Sequence, residues 1–457
     1  MTRHTELTTR NFASYAWVVL LISCVTVGFG AVDLLMVTPK GLLDVAAVGQ
    51  GELIVSGVFA FFIGVVDTFT SRLAVAEGEN ARARRLPVLV RALLPLLGLC
   101  QVLGLLTGAG VEPFLRLTGQ QPELVPLVGD YVQVRAWSTA AVLAYIVIGE
   151  TLKICGMKNA SFLILGAGLG VNVLLDWVFL YTGAASLFAS PAAAVSAATV
   201  GAQSLMACAG LGYFLRQNRR PGPAAGAPAA ARPERGEVLA EFRSMLRTAP
   251  GVGARHLNDY AGAIVPSLFI GTLGVQAVAA AGVATKIYTL FCRVPQACAA
   301  GAFTFYGYTV GSRETPLPAV ARRLLVYTAV PTAVTAGVLL LFGPQTVGAF
   351  ASAGMDQGLA RDLLLAFLLP LPVYVLSAVH GEMLTVHQRG GLLFGASTLT
   401  TYLLTIPLAW YAVFVLDSPF LAIACNGVST AVLAFVFHRA LRKDHWAAAS
   451  SPELAHA

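Results

Sequence analysis

Charge is what this chain has least of. Lys, Arg, Asp and Glu make up 12% of the residues while 57% are hydrophobic, and the mean hydropathy is +0.74, a balance far from that of a soluble protein. The bulk of the chain is therefore membrane-embedded, and the net charge of +7 bears on topology, not on nucleic acid. Paired cysteine motifs are missing too. The seven cysteines (24, 100, 155, 208, 292, 298 and 425) show no CxxC or Cys/His spacing, so a metal site or redox pair is not expected and they fit as small packing residues. No Gly-x-x-x-x-Gly-Lys-Ser/Thr stretch occurs, which excludes a recognisable ATPase. No nucleophile with a base and no His/Asp/Glu cluster stands at catalytic spacing, so an enzyme is not expected. A cleavable leader is absent as well: MTRHTELTTRNF runs into an apolar stretch too long for an h-region, and the first helix is expected to remain.

What is present is a series of apolar runs of about 20 residues, the length of a membrane crossing. They cover 13–37, 45–74, 86–109, 130–152, 161–183, 190–215, 248–273, 277–309, 321–345, 362–386, 391–416 and 419–440. The connections alternate in charge. One side collects Arg82, Arg84, Arg85, Lys153, Lys158, Arg216, Arg219, Arg220, Arg313, Arg322, Arg323, Arg389, Arg439, Arg442 and Lys443, and the other little beyond Lys40, Arg116 and Arg361. The positive-inside rule then puts both termini in the cytoplasm, in a multi-pass protein of the plasma membrane.

One low-complexity segment, QNRRPGPAAGAPAAARPERGEV at 217–238, reads as a flexible cytoplasmic linker. It divides the chain into an N-terminal lobe at 1–216, a linker at 217–246 and a C-terminal lobe at 247–457. GETLKICG at 149–156 resembles GEMLTVHQ at 381–388, an offset of 232, and VAAVG at 45–49 resembles VAAAG at 278–282, an offset of 233. Near-equal offsets in the same order point to duplication. The expected fold is an all-α polytopic membrane protein of twelve transmembrane helices, in two six-helix lobes related by a pseudo-two-fold axis along the membrane normal.

Within this apolar frame Asn172 and Asp176 share a face of the fifth span, four residues apart. A carboxyl at the centre of a spanning helix costs about 2.5–3.5 kcal/mol, so it is tolerated mainly where it faces protein or a water-filled cavity, and it marks function by default. Other polar residues inside spans are Glu52 and Asp67 on the second, Arg255, His256, Asn258 and Asp259 on the seventh, and Lys286 and Arg293 on the eighth. Of these, Glu52, Asp67, His256, Asn258, Asp259 and Lys286 are candidates to line a substrate cavity. His256 and Asp259 are close enough on one helix to pair. Glu150 and Glu382, each in a Gly-Glu pair at equivalent repeat positions, read as structural anchors. His380 and His387 have no third ligand at metal spacing.

The sequence resembles the multidrug and toxic compound extrusion (MATE) transporters. The resemblance rests on VDLLMV at 32–37 followed by GLLDVAAVG at 41–49, NVLLD at 172–176 and AAAVSAAT at 192–199, with Thr38 where that family usually has Gly. It implies an exporter that exchanges a small amphipathic organic compound for protons or sodium, with Asp33, Asn172, Asp176 and Thr199 as the cation or proton site. Carboxylate, amide and hydroxyl oxygens suit a hard cation, and paired carboxylates can equally share a proton. Some members carry an acid in the seventh helix eight positions after its Pro. Counting from Pro250 gives Asn258 here, with Asp259 next. No cofactor beyond the coupling ion is expected. The partners are a small organic substrate and the lipid bilayer, and a two-lobed transporter is expected to be a monomer. A flippase for lipid-linked saccharides, from the same broad superfamily, is the second reading, and a passive channel the third.

Overall fold

Inside a bilayer every backbone N–H and C=O must find a partner without water, and a helix satisfies them all within its own segment. The computed structural model describes residues 4–117, 120–218, 233–350 and 356–449, and among these every regular element is helical. In the first half of the chain these are α1 (Thr9–Val37), α2 (Leu42–Gly78), α3 (Arg82–Leu117), α4 (Leu124–Trp137), α5 (Thr139–Ile154), α6 (Lys158–Tyr181) and α7 (Pro191–Asn218). In the second they are α8 (Arg235–Ile270), α9 (Val275–Ser312), α10 (Leu317–Phe350), α11 (Gln357–Leu368), α12 (Leu371–Val386), α13 (Gly390–Thr400), α14 (Ile406–Phe414), α15 (Pro419–Ala424) and α16 (Asn426–Ala449). Eight helices are long and apolar enough to cross a membrane, and ten passes qualify when two bent pairs, α4/α5 at 56° and α11/α12 at 41°, each count as one. The two further passes, α8 and α9, carry Arg255 and Asp259, and Lys286 and Arg293.

Two expected spans are therefore broken. The run at 130–152 bends at Ser138, where no proline marks it, and the backbone groups freed there are caught by one side chain of α3. Gln101 Nε2 donates to Ala136 O (2.8 Å), and its Oε1 accepts from Ala140 N (2.9 Å). The run at 362–386 bends between Leu368 and Leu371, beside Pro370 and Pro372. The run at 391–416 stays one pass but loosens into a π turn at Thr401–Thr405, just before Pro407, whose missing N–H opens the helical ladder.

Backbone punctuation repeats at the offset of the sequence matches. Gly41 (φ 146°) follows the 3-10 turn Thr38–Lys40 and opens α2, and Gly274 (φ 105°) follows Gly271–Leu273 and opens α9, 233 residues later. Asn80 (φ 55°) and Arg313 (φ 57°) stand in the left-handed region just past the ends of these same helices, α2 and α9, again 233 apart, while Gly156 (φ 79°) and Gln388 (φ 58°) follow the fourth and tenth passes, 232 apart. The bent pairs fall at the same place in each half.

By their contacts the residues form two compact units, Leu21–Leu246 and Met1–Leu20 with Arg247–Ala457. Residues 1–20, which the sequence alone groups with the N-terminal lobe, belong by contact with the second unit. Tyr15 OH lies 3.0 Å from Thr304 Oγ1, and the Phe12 ring packs over Gly301 of α9. Of the expected linker 217–246, residues 219–232 lie outside the described residues, and 235–246 form the opening turns of α8. Each unit has its own core. Val37, Ala47, Val48, Val128, Tyr131 and Val195 pack in the first, and Ala280, Ala284, Ile287, Leu363, Leu364 and Ala409 in the second.

Candidate functional site

Three helices of the first unit, α1, α6 and α7, bring together the four residues singled out from the sequence. Because Asn172 and Asp176 are one turn apart on α6, the Asn172 amide reaches both carboxyls. Its Nδ2 donates to Asp176 Oδ2 (2.8 Å) and to Asp33 Oδ1 on α1 (2.8 Å). Thr199 Oγ1 on α7 closes the cluster by donating to Asp33 Oδ2 (2.8 Å). All four side chains are buried, at 3%, 0%, 0% and 3% exposure for Asp33, Asn172, Asp176 and Thr199. The residues that lead to Thr199 on α7 are small and buried, among them Ala192, Ala194, Val195, Ser196 and Ala198.

Two oxygens in this cluster have no partner among the described residues: Asn172 Oδ1 and Asp176 Oδ1 are buried and accept no hydrogen bond there. Buried polar atoms are nearly always satisfied, so two orphans in one cluster call for an explanation. An amide oxygen and a carboxylate oxygen are donors a hard cation prefers. A proton on one carboxyl would also satisfy the site, since two carboxylates sharing one amide donor in apolar surroundings are poorly compensated when both are charged.

Two charged residues stand beside the cluster, Glu52, already a candidate from the sequence, and Arg135, which was not. Glu52 on α2 is seated against α1 at Gly30, where a Cβ would lie 2.4 Å from its Oε1. Gly30 is one turn from Asp33, and Glu52 and Asp33 are in electrostatic contact. Arg135 on α4, which the sequence reading passed over, donates from Nη1 to Gln203 Oε1 of α7 (3.1 Å), and its buried Nε has no acceptor. It makes no ion pair among the described residues, although Asp33 and Glu52 both feel its charge. An arginine inside an apolar run was the available signal. Asp67, grouped with Glu52 by sequence, stands about four turns further along α2 and is half-buried.

In the second unit the polar residues divide. Asn258 is buried, and its Nδ2 donates to Ser397 Oγ and Thr398 Oγ1 of α13, both at 2.9 Å. It serves as a tie between α8 and α13. The two helices meet closely because Gly251 faces Gly390: a Cβ at Gly251 would lie 2.1 Å from the Gly390 carbonyl oxygen. Asp259, the next residue, is exposed, with Arg255 and the half-buried His256 in electrostatic reach. Arg255 is itself buried and pairs with Glu382 Oε1 of α12 (3.2 Å). That pairing ties Glu382 of α12 to α8. Its repeat counterpart Glu150 pairs along its own helix with Lys153 (2.6 Å). Lys286 on α9 is exposed and meets no carboxylate of its own unit among the described residues. His380 faces the His438 ring at 5.1 Å, and His387 Nε2 is 2.8 Å from Tyr306 OH.

Comparison with known proteins gives a consistent result. The MatE family model matches residues 19–178 and 260–411. A probable multidrug resistance protein NorM of Xanthomonas campestris pv. campestris is 27% identical over 378 residues, covering 79% of this chain and 78% of that protein. A protein of the same description from Rhizobium meliloti is 25% identical over 300 residues, and the match spans 62% of this chain and 59% of that relative's length. Among solved structures, one described as MATE in the bent conformation superposes with a TM-score of 0.80 at 18% identity, covering 98% of each chain. An outward-facing multidrug resistance MATE family transporter of the MOP superfamily gives 0.76 at 17% identity, again over 98% of each. At such identities the likeness is one of fold.

Proposed function

Because this chain belongs to the MatE family of membrane transporters, we propose that it is a secondary active antiporter that exports small amphipathic organic compounds, drugs or a metabolite, in exchange for protons or sodium. The observation that carries this reading is the buried pair of carboxyls, Asp33 and Asp176, bridged by Asn172 and left with two orphan oxygens. A structural tie needs no such surplus of acceptors. A site that must load and unload an ion does.

In this reading the coupling ion binds among Asp33, Asn172, Asp176 and Thr199, and each loading changes the charge of a region that excludes water. The cost of leaving the two carboxyls uncompensated favours one conformation of the transporter, and loading favours another. The ion gradient then drives substrate outward. The Lys and Arg distribution supports a plasma-membrane protein with both termini cytoplasmic, and a single chain holds all four proposed site residues.

The test is proton release from acid-loaded everted vesicles on addition of a panel of lipophilic cations, with and without sodium, in wild type and Asp176→Asn. Substrate-dependent release that disappears in the variant supports the antiporter. Full release in the variant removes Asp176 from coupling. A response to sodium that replaces the response to pH identifies the ion. No response to any cation moves the reading to lipid-linked saccharides.

A further inference from the structure

The geometry points to Glu52 as the entry carboxylate of the coupling site, the group that an ion meets before it reaches the buried cluster, with Arg135 as the counter-charge that keeps it from trapping the ion. The inference rests on the coupling role proposed for Asp33 and Asp176.

Burial separates the carboxyls. Asp33 and Asp176 are at 3% and 0% exposure, whereas Glu52 is half-buried and keeps an accessible edge. The seat of Glu52 is built, since its carboxyl lies where any side chain at residue 30 would stand, and only glycine leaves that space. That seat is one helical turn from Asp33, so the accessible carboxyl and the buried one line the same face of α1. The groups facing Glu52 from the packed helices are Asp33 on α1, Arg135 and Tyr131 on α4, and, further in, Asp176 on α6; α7 offers only the uncharged Thr199 and Gln203.

Arg135 completes the arrangement. Its guanidinium is held by the neutral Gln203, not by a carboxylate, and its Nε is unpartnered. A direct Arg–Glu pair would lock Glu52 and close it to ions. Held at a distance by Gln203, the arginine instead limits the net negative charge along the path, so an ion attracted by Glu52 is passed on to Asp33. No bond is made or broken in the sodium case. In the proton case a proton from hydronium at the accessible edge rests on Glu52, releasing water, and passes on to Asp33, leaving Glu52 the carboxylate it was.

The experiment uses the purified full chain in liposomes and follows intrinsic tryptophan fluorescence after a rapid pH jump or sodium addition. Glu52→Gln is expected to slow the ion-binding phase roughly tenfold, the lower end of what an oppositely charged approach contributes to association rates, with an equilibrium midpoint close to wild type. Glu52→Asp restores part of the rate. Arg135→Gln is expected to slow ion release instead. Asp33→Asn in parallel abolishes the signal. An unchanged binding rate in Glu52→Gln, with the signal still lost in Asp33→Asn, overturns the entry role alone. A full signal in Asp33→Asn overturns the coupling site and the entry role together. An unfolded Glu52→Gln, judged by gel filtration, is replaced by Gly30→Ala, which displaces the carboxyl and is expected to reproduce the slow phase; a wild-type rate there also overturns the proposal.

Discussion

The first and fifth passes of each half meet in both units, and they meet differently. In the first unit α1 and α6 touch through carboxyls: Asp33, Asn172 and Asp176, with acceptors to spare. In the second, α8 and α13 touch through two glycines and a neutral tie of Asn258 to Ser397 and Thr398. The charge has moved elsewhere, to Arg255 and Glu382 between α8 and α12. The backbone repeats, with helix starts, left-handed residues and bends at offsets of 232 or 233, while the side-chain chemistry does not. A duplicated scaffold fixes where helices begin, bend and cross. It leaves open which crossing carries an ion.

Breaking the comparison on the charged side gives the largest effect. Asp176→Asn preserves shape and the Asn172 contact but removes a titratable group, so ion-driven export is expected to fall to background while the protein still folds; export assays beside gel filtration check this. Next is Arg255→Gln, which removes the charge paired with the Glu382 carboxylate. Removing one partner of a buried ion pair costs about 3–5 kcal/mol, read as a large drop in the thermal unfolding midpoint in detergent, and Arg255→Gln with Glu382→Gln should recover most of it. Asn258→Ala should cost about 1 kcal/mol, because Ser397 Oγ already has the Phe394 carbonyl to bond; the ion dependence of export is expected to stay as in wild type. Glu150→Gln is the smallest, at most about 1 kcal/mol, since its pair with Lys153 lies within one helix and Glu150 is 32% exposed. A large loss for Glu150→Gln would show that the two Gly-Glu motifs do the same work after all.

How much of this was legible from the sequence varied by residue. The four-residue spacing of Asn172 and Asp176 fixes a shared face whatever the helix packs against, and the family resemblance supplied Asp33 and Thr199. Glu52 and Arg135 were a different matter. Their importance depends on which side of α2 and α4 faces α1 and α7, and spacing within one helix does not give the rotation of its neighbour. The bend at 368–371 had proline as a signal, whereas the bend at Ser138 depends on Gln101 of another helix, and nothing local announces it. Asn258 and Asp259 show the limit of counting along a chain. Adjacent residues point about 100° apart, and one became a tie while the other remained exposed.

The glycine contact between α8 and α13 has a consequence for protein engineering. Gly251 and Gly390 let the two backbones approach closely, and two turns along, seven residues on in each helix, Asn258 meets Ser397. The tie above them is therefore an interchangeable fitting on a fixed mount. A carboxylate at position 258 would find the hydroxyls of Ser397 and Thr398 already within hydrogen-bonding distance, so a single substitution, Asn258→Asp, would put a carboxyl between the first and fifth passes of this half of the chain.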